Sequence, residues 1–345
     1  MDRKNKVYMF LLQAVLMIFI TTSCIMEDEG GCGVTVRFAY TYNILSANAL
    51  EDQVDEVSLY IFGDDGILVK QYINAVVSPT NSFIRLTDLK NGNYRFVAFA
   101  QSKHITSVQS YFSIPKLIVG VSFIDELSYM LKREASGFQR HELNNFLVGM
   151  TNVIVDDRGL GVTLDLKKVN NKIRVVVLPY TPDSSLDVAD YEFSIVDKVG
   201  NGHINYDYEL LPDKPITYFP YYAVNIEPKD VGMLLSDEID KAAVVEINTS
   251  RLIVENAPRL IITNKKTGKE IVSMNLPWVF SLIEMEDYKD RSLQEYLDRQ
   301  DRYSIMLYFN DDAWMNGTFI INGWIVNIKD IELYSNKVKS QKKSH

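Results

Sequence analysis

The chain has 345 residues, a formal net charge of −9 and 47% apolar residues. That apolar content excludes a disordered chain, and the acidic balance argues against a general nucleic-acid binder. Removal of an N-terminal leader leaves roughly 320 residues, which suits two domains better than one small sandwich. Twenty tyrosines, with many Val, Ile and Thr, lean toward strands. After the leader, no apolar stretch approaches the ~20 residues of a membrane-spanning helix.

Arg3, Lys4 and Lys6 precede an apolar run from Val7 to Ile20, then Thr21-Thr22-Ser23-Cys24. A basic start, a short apolar centre and small residues before a cut site make residues 1–23 a secretory signal. The cysteine that follows directly looks like that of a bacterial lipobox, in which Cys24 is acylated and becomes the new N-terminus. Thr21 departs from the Leu usual at that position. The acidic Glu27-Asp28-Glu29 resembles the export tag of surface lipoproteins in the Bacteroidetes. A plain signal peptide with an incidental cysteine is the alternative. Residues 24–33 read as a lipidated tether. Lipid on Cys24 would leave Cys32, the only other cysteine, without a partner in the chain; a Cys24–Cys32 disulfide is the competing state.

Val34 to Tyr42 alternates as a strand. Val54 to Phe62 follows, with Val57, Leu59 and Ile61 on one face and Tyr60 and Phe62 on the other. Gly63-Asp64-Asp65-Gly66 turns it into Ile67 to Tyr72. Ser82 to Leu86 is the next strand. Tyr94 to Ala100 follows a turn at 88–93, with Tyr94, Phe96, Ala98 and Ala100 sharing a face. This Leu-x-x-Gly-x-Tyr-x-Phe-x-Ala hairpin resembles the signature of transthyretin-like sandwiches. Helical spacing of Phe123, Leu127, Met130 and Leu131, with acids first and bases last, predicts a helix from Phe123 to Glu134. Phe146 to Val155 and Gly161 to Leu166 are strands around the turn at 156–159.

The second half begins near Gly159, where the following segment reads like a new first strand. Lys172 to Leu178, Tyr191 to Asp197, Ile216 to Val224, Ala242 to Ile247, Arg259 to Asn264 and Glu270 to Leu276 are the expected strands. Glu286 to Gln300 is the second expected helix, with Leu293, Tyr296 and Leu297 inward. Tyr303 to Asn310 and Thr318 to Ile328 are closing strands. The basic residues 335–345 read as a disordered tail. The expected layout is therefore mainly β: two tandem β-sandwich domains at 34–158 and 159–334, with one or two decorating helices.

In this order the pieces resemble the FimB/Mfa-type fimbrial anchor family, the lipoproteins at the base of type V pili in Bacteroidales. The matching stretches are Ser23 to Glu29 with Cys32, Val34 to Asn43, Gln53 to Gly66, Leu89 to Ala98, Asn170 to Val175 and Ile321 to Asn327. Together they extend over nearly the whole chain after the signal. The resemblance implies two transthyretin-like domains, an acylated Cys24 in the outer membrane and a role in fixing the fimbrial shaft and limiting its length. It also implies partnership with shaft subunits by β-strand exchange, in which main-chain hydrogen bonds supply affinity. The candidate strands for exchange are Val34 to Tyr42 and Phe319 to Ile328; either can equally be an ordinary internal strand.

No nucleophile elbow or phosphate loop occurs. The acidic pairs Asp64-Asp65, Asp156-Asp157 and Asp311-Asp312 fall in expected turns, where turn chemistry explains them. Four scattered histidines and no CxxC or HxxxH spacing give no zinc site. No catalytic, metal or cofactor residue is expected, and Cys24 is the single named site. Tyr218 to Tyr222 and the tryptophans Trp278, Trp314 and Trp324 are either core or a sugar-stacking platform. A surface adhesin or tip subunit that binds host glycan or protein is the alternative function. A polysaccharide hydrolase, which needs carboxylates clustered in a cleft, is the third.

Overall fold

The computed structural model describes residues 33–78, 82–102, 111–179, 186–226, 242–283, 290–310, 313–314, 318–322 and 324–327. Cys24, Cys32, the leader and the basic tail lie outside these residues. The described strands form five sheets, and the chain is mainly β, as expected.

Two sheets make the first sandwich. In one, Val34–Ala39 lies between Leu160–Asp165 and Phe83–Leu86. The other runs Lys167–Lys168, Phe146–Val155, Gly92–Gln101, Glu56–Gly63, Leu68–Val76. Alternation places Val57, Leu59, Ile61, Phe96, Ala98 and Ala100 between the sheets, against Val36, Phe38 and Leu164. The sheets approach closely at Gly149, where a Cβ would lie 2.4 Å from the Asp165 carbonyl oxygen. The opposite faces of the same strands, with Tyr60, Phe62, Val97 and Phe99, are buried in a larger core that also contains Ile173, Phe193 and Leu307 of the second half. The five-stranded sheet is therefore apolar on both sides.

The second half is built on a sheet ordered Tyr222–Ile226, Ala242–Ser250, Asn170–Pro179, Arg302–Asn310, Thr318–Ile321, Trp324–Asn327. It faces a sheet ordered Glu270–Asn275, Arg259–Asn264, Tyr191–Asp197, Ile216–Tyr218, Phe138–Gln139. His203–Asn205, Ser128–Leu131 and Phe112–Ser113 form a small fifth sheet. The strands Phe112–Ser113, Ser128–Leu131 and Phe138–Gln139 thus join sheets of the second half, although their neighbours in sequence belong to the first.

Five expectations are corrected. The segment expected to be a helix from Phe123 to Glu134 is a 3₁₀ turn, Ile124–Glu126, followed by the strand Ser128–Leu131. Beyond the buried Ile124 of that turn, the buried residues are Leu127, Tyr129 and Leu131, a period of two, whereas Phe123 and Met130 of the helical pattern are exposed. Leu160–Asp165 does not open a new unit at Gly159; it pairs in parallel with Val34–Ala39, and strand pairing changes partners only after Lys168. The aromatic strand expected from Ile216 to Val224 is split at Phe219-Pro220-Tyr221 into Ile216–Tyr218 and Tyr222–Ile226, in different sheets. The closing strand expected from Thr318 to Ile328 is a hairpin, Thr318–Ile321 against Trp324–Asn327, with Asn322 at φ +49°. Of the second helix, expected from Glu286, residues 286–289 lie outside the described residues; 290–292 are not helical, and the helix spans Leu293–Arg299, with the Ser292 hydroxyl accepting from the Glu295 N–H at 3.1 Å. Tyr296 and Leu297 are buried, as expected.

Candidate functional site

The two ends of the described chain lie in different halves, each at strand ends remote from the crossing between them. At the first, the Gly33 carbonyl accepts from the Leu160 N–H at 3.0 Å, and Val34 pairs with both Leu160 and Leu86. Asn91 Nδ2 donates to Asp157 Oδ1 at 2.8 Å and ties the two neighbouring turns there. These are the strand ends remote from Gln101 and Phe146, which pair with each other where the chain crosses to the second half. At the second, Asn327 pairs with Thr318. That strand lies beside Arg302–Asn310, which begins next to Lys172 at the crossing and runs away from it.

The two strands considered for exchange differ in their pairing. Val34–Ala39 has a hydrogen-bonded neighbour on each side, parallel on one and antiparallel on the other. Its use in exchange would require one of those pairings to open. Trp324–Asn327 is outermost in its sheet and, among the described residues, pairs only with Thr318–Ile321. Its other edge is the kind of backbone row to which a strand can add.

Between the halves lies a polar cleft of about 410 Å³, lined by Ser102, Asn144, Asn145, Lys168, Lys172 and Arg302 among others. The Lys168 ammonium is buried, paired with Asp301, and donates to Gln53 Oε1 at 3.0 Å. Burial pushes the Lys168 pKa down, against the pull of Asp301. Asparagines staple the walls. Asn170 Oδ1 accepts from the Phe146 N–H at 3.1 Å, Asn248 Oδ1 accepts from the Leu143 N–H at 3.0 Å, and Asn145 Nδ2 donates to the Gln53 carbonyl at 3.1 Å. Most of the amides are therefore occupied in holding the crossing segment; Asn144 Oδ1 is buried without a partner. On the same flank, Glu246 takes Arg174 Nε at 2.9 Å, the Tyr221 hydroxyl and Lys172 Nζ at 3.3 Å. Burial alone would raise the Glu246 pKa, but the hydrogen bonds from Tyr221 and Arg174 and the charge of Lys172 outweigh it and hold it below the ordinary glutamate value.

A second buried pair completes the junction. Arg251 Nε and Nη2 each donate at 2.7 Å to Asp298, a bidentate fork, while Arg251 Nη1 donates to the Tyr208 carbonyl at 2.8 Å. The guanidinium also sits 4.0 Å from the Tyr208 ring centroid.

The sequence singled out none of these partners, because each joins segments far apart. A signal for them existed only in the residue types, charged and amide side chains beside buried strands. Asp65 and Asp156, by contrast, fold back on the main-chain N–H groups of Ile67 and Arg158, each at 3.0 Å, as turn residues do. Asp311 and Asp312 lie outside the described residues. Tyr218 is fully buried, with its hydroxyl donating to Asn201 Oδ1, so it is core and not an exposed platform. The side chains of Trp314 and Trp324 are outside the described set. Among the described residues, no group of three or more His, Cys, Asp or Glu is placed to hold a metal ion.

Comparison with known proteins bears on this architecture. A search of curated proteins finds no significant match. A Bacteroides thetaiotaomicron protein described as a candidate polysaccharide-binding protein is 30% identical, with a TM-score of 0.72 over 87% of this chain and 99% of that one. A second protein of the same species, described as a candidate adhesin, is 26% identical, with a TM-score of 0.74 over 88% and 100%. The fimbrial anchor protein Mfa2 from Porphyromonas gingivalis shares the fold, with a TM-score of 0.60 at 18% identity over 86% and 98%. Residues 27–330 match the family described as fimbrillin-A associated anchor proteins Mfa1 and Mfa2. The chain belongs to that family of fimbria-associated proteins.

Proposed function

We propose that the protein is a fimbrial anchor subunit, a structural outer-membrane lipoprotein that is surface-exposed at the base of the fimbrium. Acyl chains on Cys24 hold one pole at the bilayer. The other end joins a shaft subunit by strand exchange at the edge of Trp324–Asn327 that has no neighbour among the described residues, and this attachment limits shaft length. The observation that carries the reading is the separation of the two ends. The N-terminal strand enters at the tip of the first sandwich, and the last described strand ends at the far side of the second half. A link under tension needs its two attachments well separated, with packed structure between them; here two apolar cores lie on opposite faces of one shared five-stranded sheet. A single acyl chain binds a membrane only marginally, so several chains on Cys24 suit a subunit under load.

The test is the intact mass of the mature protein from membranes, before and after Cys24→Ala, with surface fimbriae imaged in both strains. A diacylglyceryl-plus-acyl adduct, and shedding of long fimbriae by the variant, are expected. An adduct with unchanged fimbriae would overturn the anchor role and leave a surface lipoprotein. Absence of the adduct would overturn the lipid attachment. The adhesin reading is favoured by the relatives described as candidate adhesin and polysaccharide-binding proteins. Saturable binding of purified protein to a glycan array, abolished by Arg302→Ala in the cleft, would move it ahead.

A further inference from the structure

Residues 118–123 read Ile-Val-Gly-Val-Ser-Phe and form an exposed apolar tip. Ile118 is 58% exposed, Val119 49%, Val121 63% and Phe123 50%. Such a concentration on one short loop is unusual for a surface that faces only water. The loop is held in shape. The Gly120 N–H donates to the Leu68 carbonyl at 2.7 Å, the Leu68 N–H to the Ser122 carbonyl at 2.9 Å, and the Ile124 N–H to the Gly66 carbonyl at 2.9 Å. The Phe123 N–H donates to Glu126 Oε1 at 2.8 Å. Gly120 takes φ +78°, a left-handed bend that suits glycine and leaves the apolar side chains outward. The exposure is therefore built into the fold and is not a frayed segment.

Strand pairing fixes where this tip lies. It is bonded to the turn that joins Glu56–Gly63 to Leu68–Val76, and Gly63 pairs with Tyr94 near the start of Gly92–Gln101. Gly92 pairs with Val155, whose strand leads through the turn at 156–159 to Leu160 beside Val34. The tip and the entry of the N-terminal segment thus share one pole. Cys24 is nine residues before Gly33, and nine extended residues reach at most about 30 Å. If Cys24 is acylated, the bilayer surface lies within that distance of this pole.

We propose that the loop 118–123 is a membrane-docking element that seats Val119, Val121 and Phe123 in the interfacial layer of the membrane carrying the lipid anchor. The proposal rests on the acylation of Cys24. Asp64 and Asp65, exposed in the adjoining turn, work against attraction to anionic headgroups, so apolar insertion carries the contact. A flexible tether alone lets the protein swivel. Tether and loop together set its tilt, and so the direction in which the other end points.

The test uses the full chain purified from membranes with Phe123→Trp, reconstituted in vesicles of brominated phosphatidylcholine, a quencher within the acyl region. The emission of the unsubstituted protein, with its three native tryptophans, in the same vesicles is the background to be subtracted. Quenching of most of the added tryptophan's emission is expected. Adding Val121→Asp should abolish it while the protein still floats with the vesicles and keeps its acyl mass and melting temperature. An acylated, vesicle-bound Phe123→Trp protein with no added quenching would overturn the proposal. So would a blue shift of the added tryptophan that depends on protein concentration without lipid, which would make a second copy the occupant. If the acyl adduct is absent, quenching on simple mixing with vesicles still supports docking by the loop, and its absence removes both readings.

Discussion

The core of the first sandwich and the junction below it are made of opposite materials. Between the two sheets of the sandwich, Val36, Leu59, Phe96 and Leu164 are fully buried and apolar. At the junction the buried positions include Lys168, Asn170, Asn248 and Asp298, each satisfied by a partner from another segment. Apolar packing is non-directional, so the sandwich tolerates any filling of the right volume. Paired charges and amides have fixed geometry, so the junction sets how the second half sits on the first. Burying an ion pair is weak evidence of stability in itself. What its fixed geometry supplies is registry between the segments it joins.

The sharpest way to break this comparison is Asp298→Ala. It leaves the Arg251 guanidinium buried with the Tyr208 carbonyl as its remaining acceptor, and should cost about 3–5 kcal/mol in urea unfolding. A paired Arg251→Met, Asp298→Leu change should recover most of that loss. A cost as small as that of an exposed pair would show the junction to be as forgiving as the sandwich.

In the sandwich, Leu59→Ala should cost about 2–5 kcal/mol through the cavity it leaves, while the volume-conserving Leu59→Met should stay under about 1.5 kcal/mol. Denaturant midpoints at constant slope measure both. An equal penalty for the two changes would mean that the apolar core is also specified by shape.

A smaller effect is expected from acid. Because the folded Glu246 carboxyl titrates below its ordinary value, its ionised form adds stability above about pH 4.3, and that contribution is lost as pH falls through the lowered folded value. Glu246→Gln should therefore lower the melting temperature at neutral pH and flatten its fall on acidification. An unchanged acid limb would remove Glu246 from the set of groups that hold the junction. The smallest effect belongs to Lys70 and Asp88, 2.6 Å apart but largely in water. Asp88→Asn should leave the melting temperature unchanged within error, since exposed pairs add little.

Much of the fold was legible locally. Phe146–Val155, Tyr191–Asp197 and Arg259–Asn264 have the bounds that alternation gives them. The errors fall where a second pattern competed. In 123–134 two exposed apolar side chains, Phe123 and Met130, mimicked a helical stripe; one of them belongs to the apolar tip. Pro220 marked the break in the aromatic strand, and Asn322-Gly323, a strong hairpin signal, marked the turn in the closing segment. Both breakers were visible and were outweighed by the apolar run around them. The family resemblance extended over the right stretches, while Cys24 remains a reading of the leader's chemistry.

The sequence by itself determined which residues face inward where one face is polar, as in Arg259–Asn264, because that alternation is a property of neighbouring residues on a pleated chain. It also determined the order basic, apolar, small, cysteine on which the lipid reading rests. Only the tertiary structure decided that Val34–Ala39 lies parallel to Leu160–Asp165, that Ser128–Leu131 and Phe138–Gln139 pair with strands of the second half, and that Lys168 meets Asp301 and Arg251 meets Asp298. Those choices depend on contacts between segments far apart in the chain. The local periodicity is the same whichever partner a strand finds, so it holds no record of them.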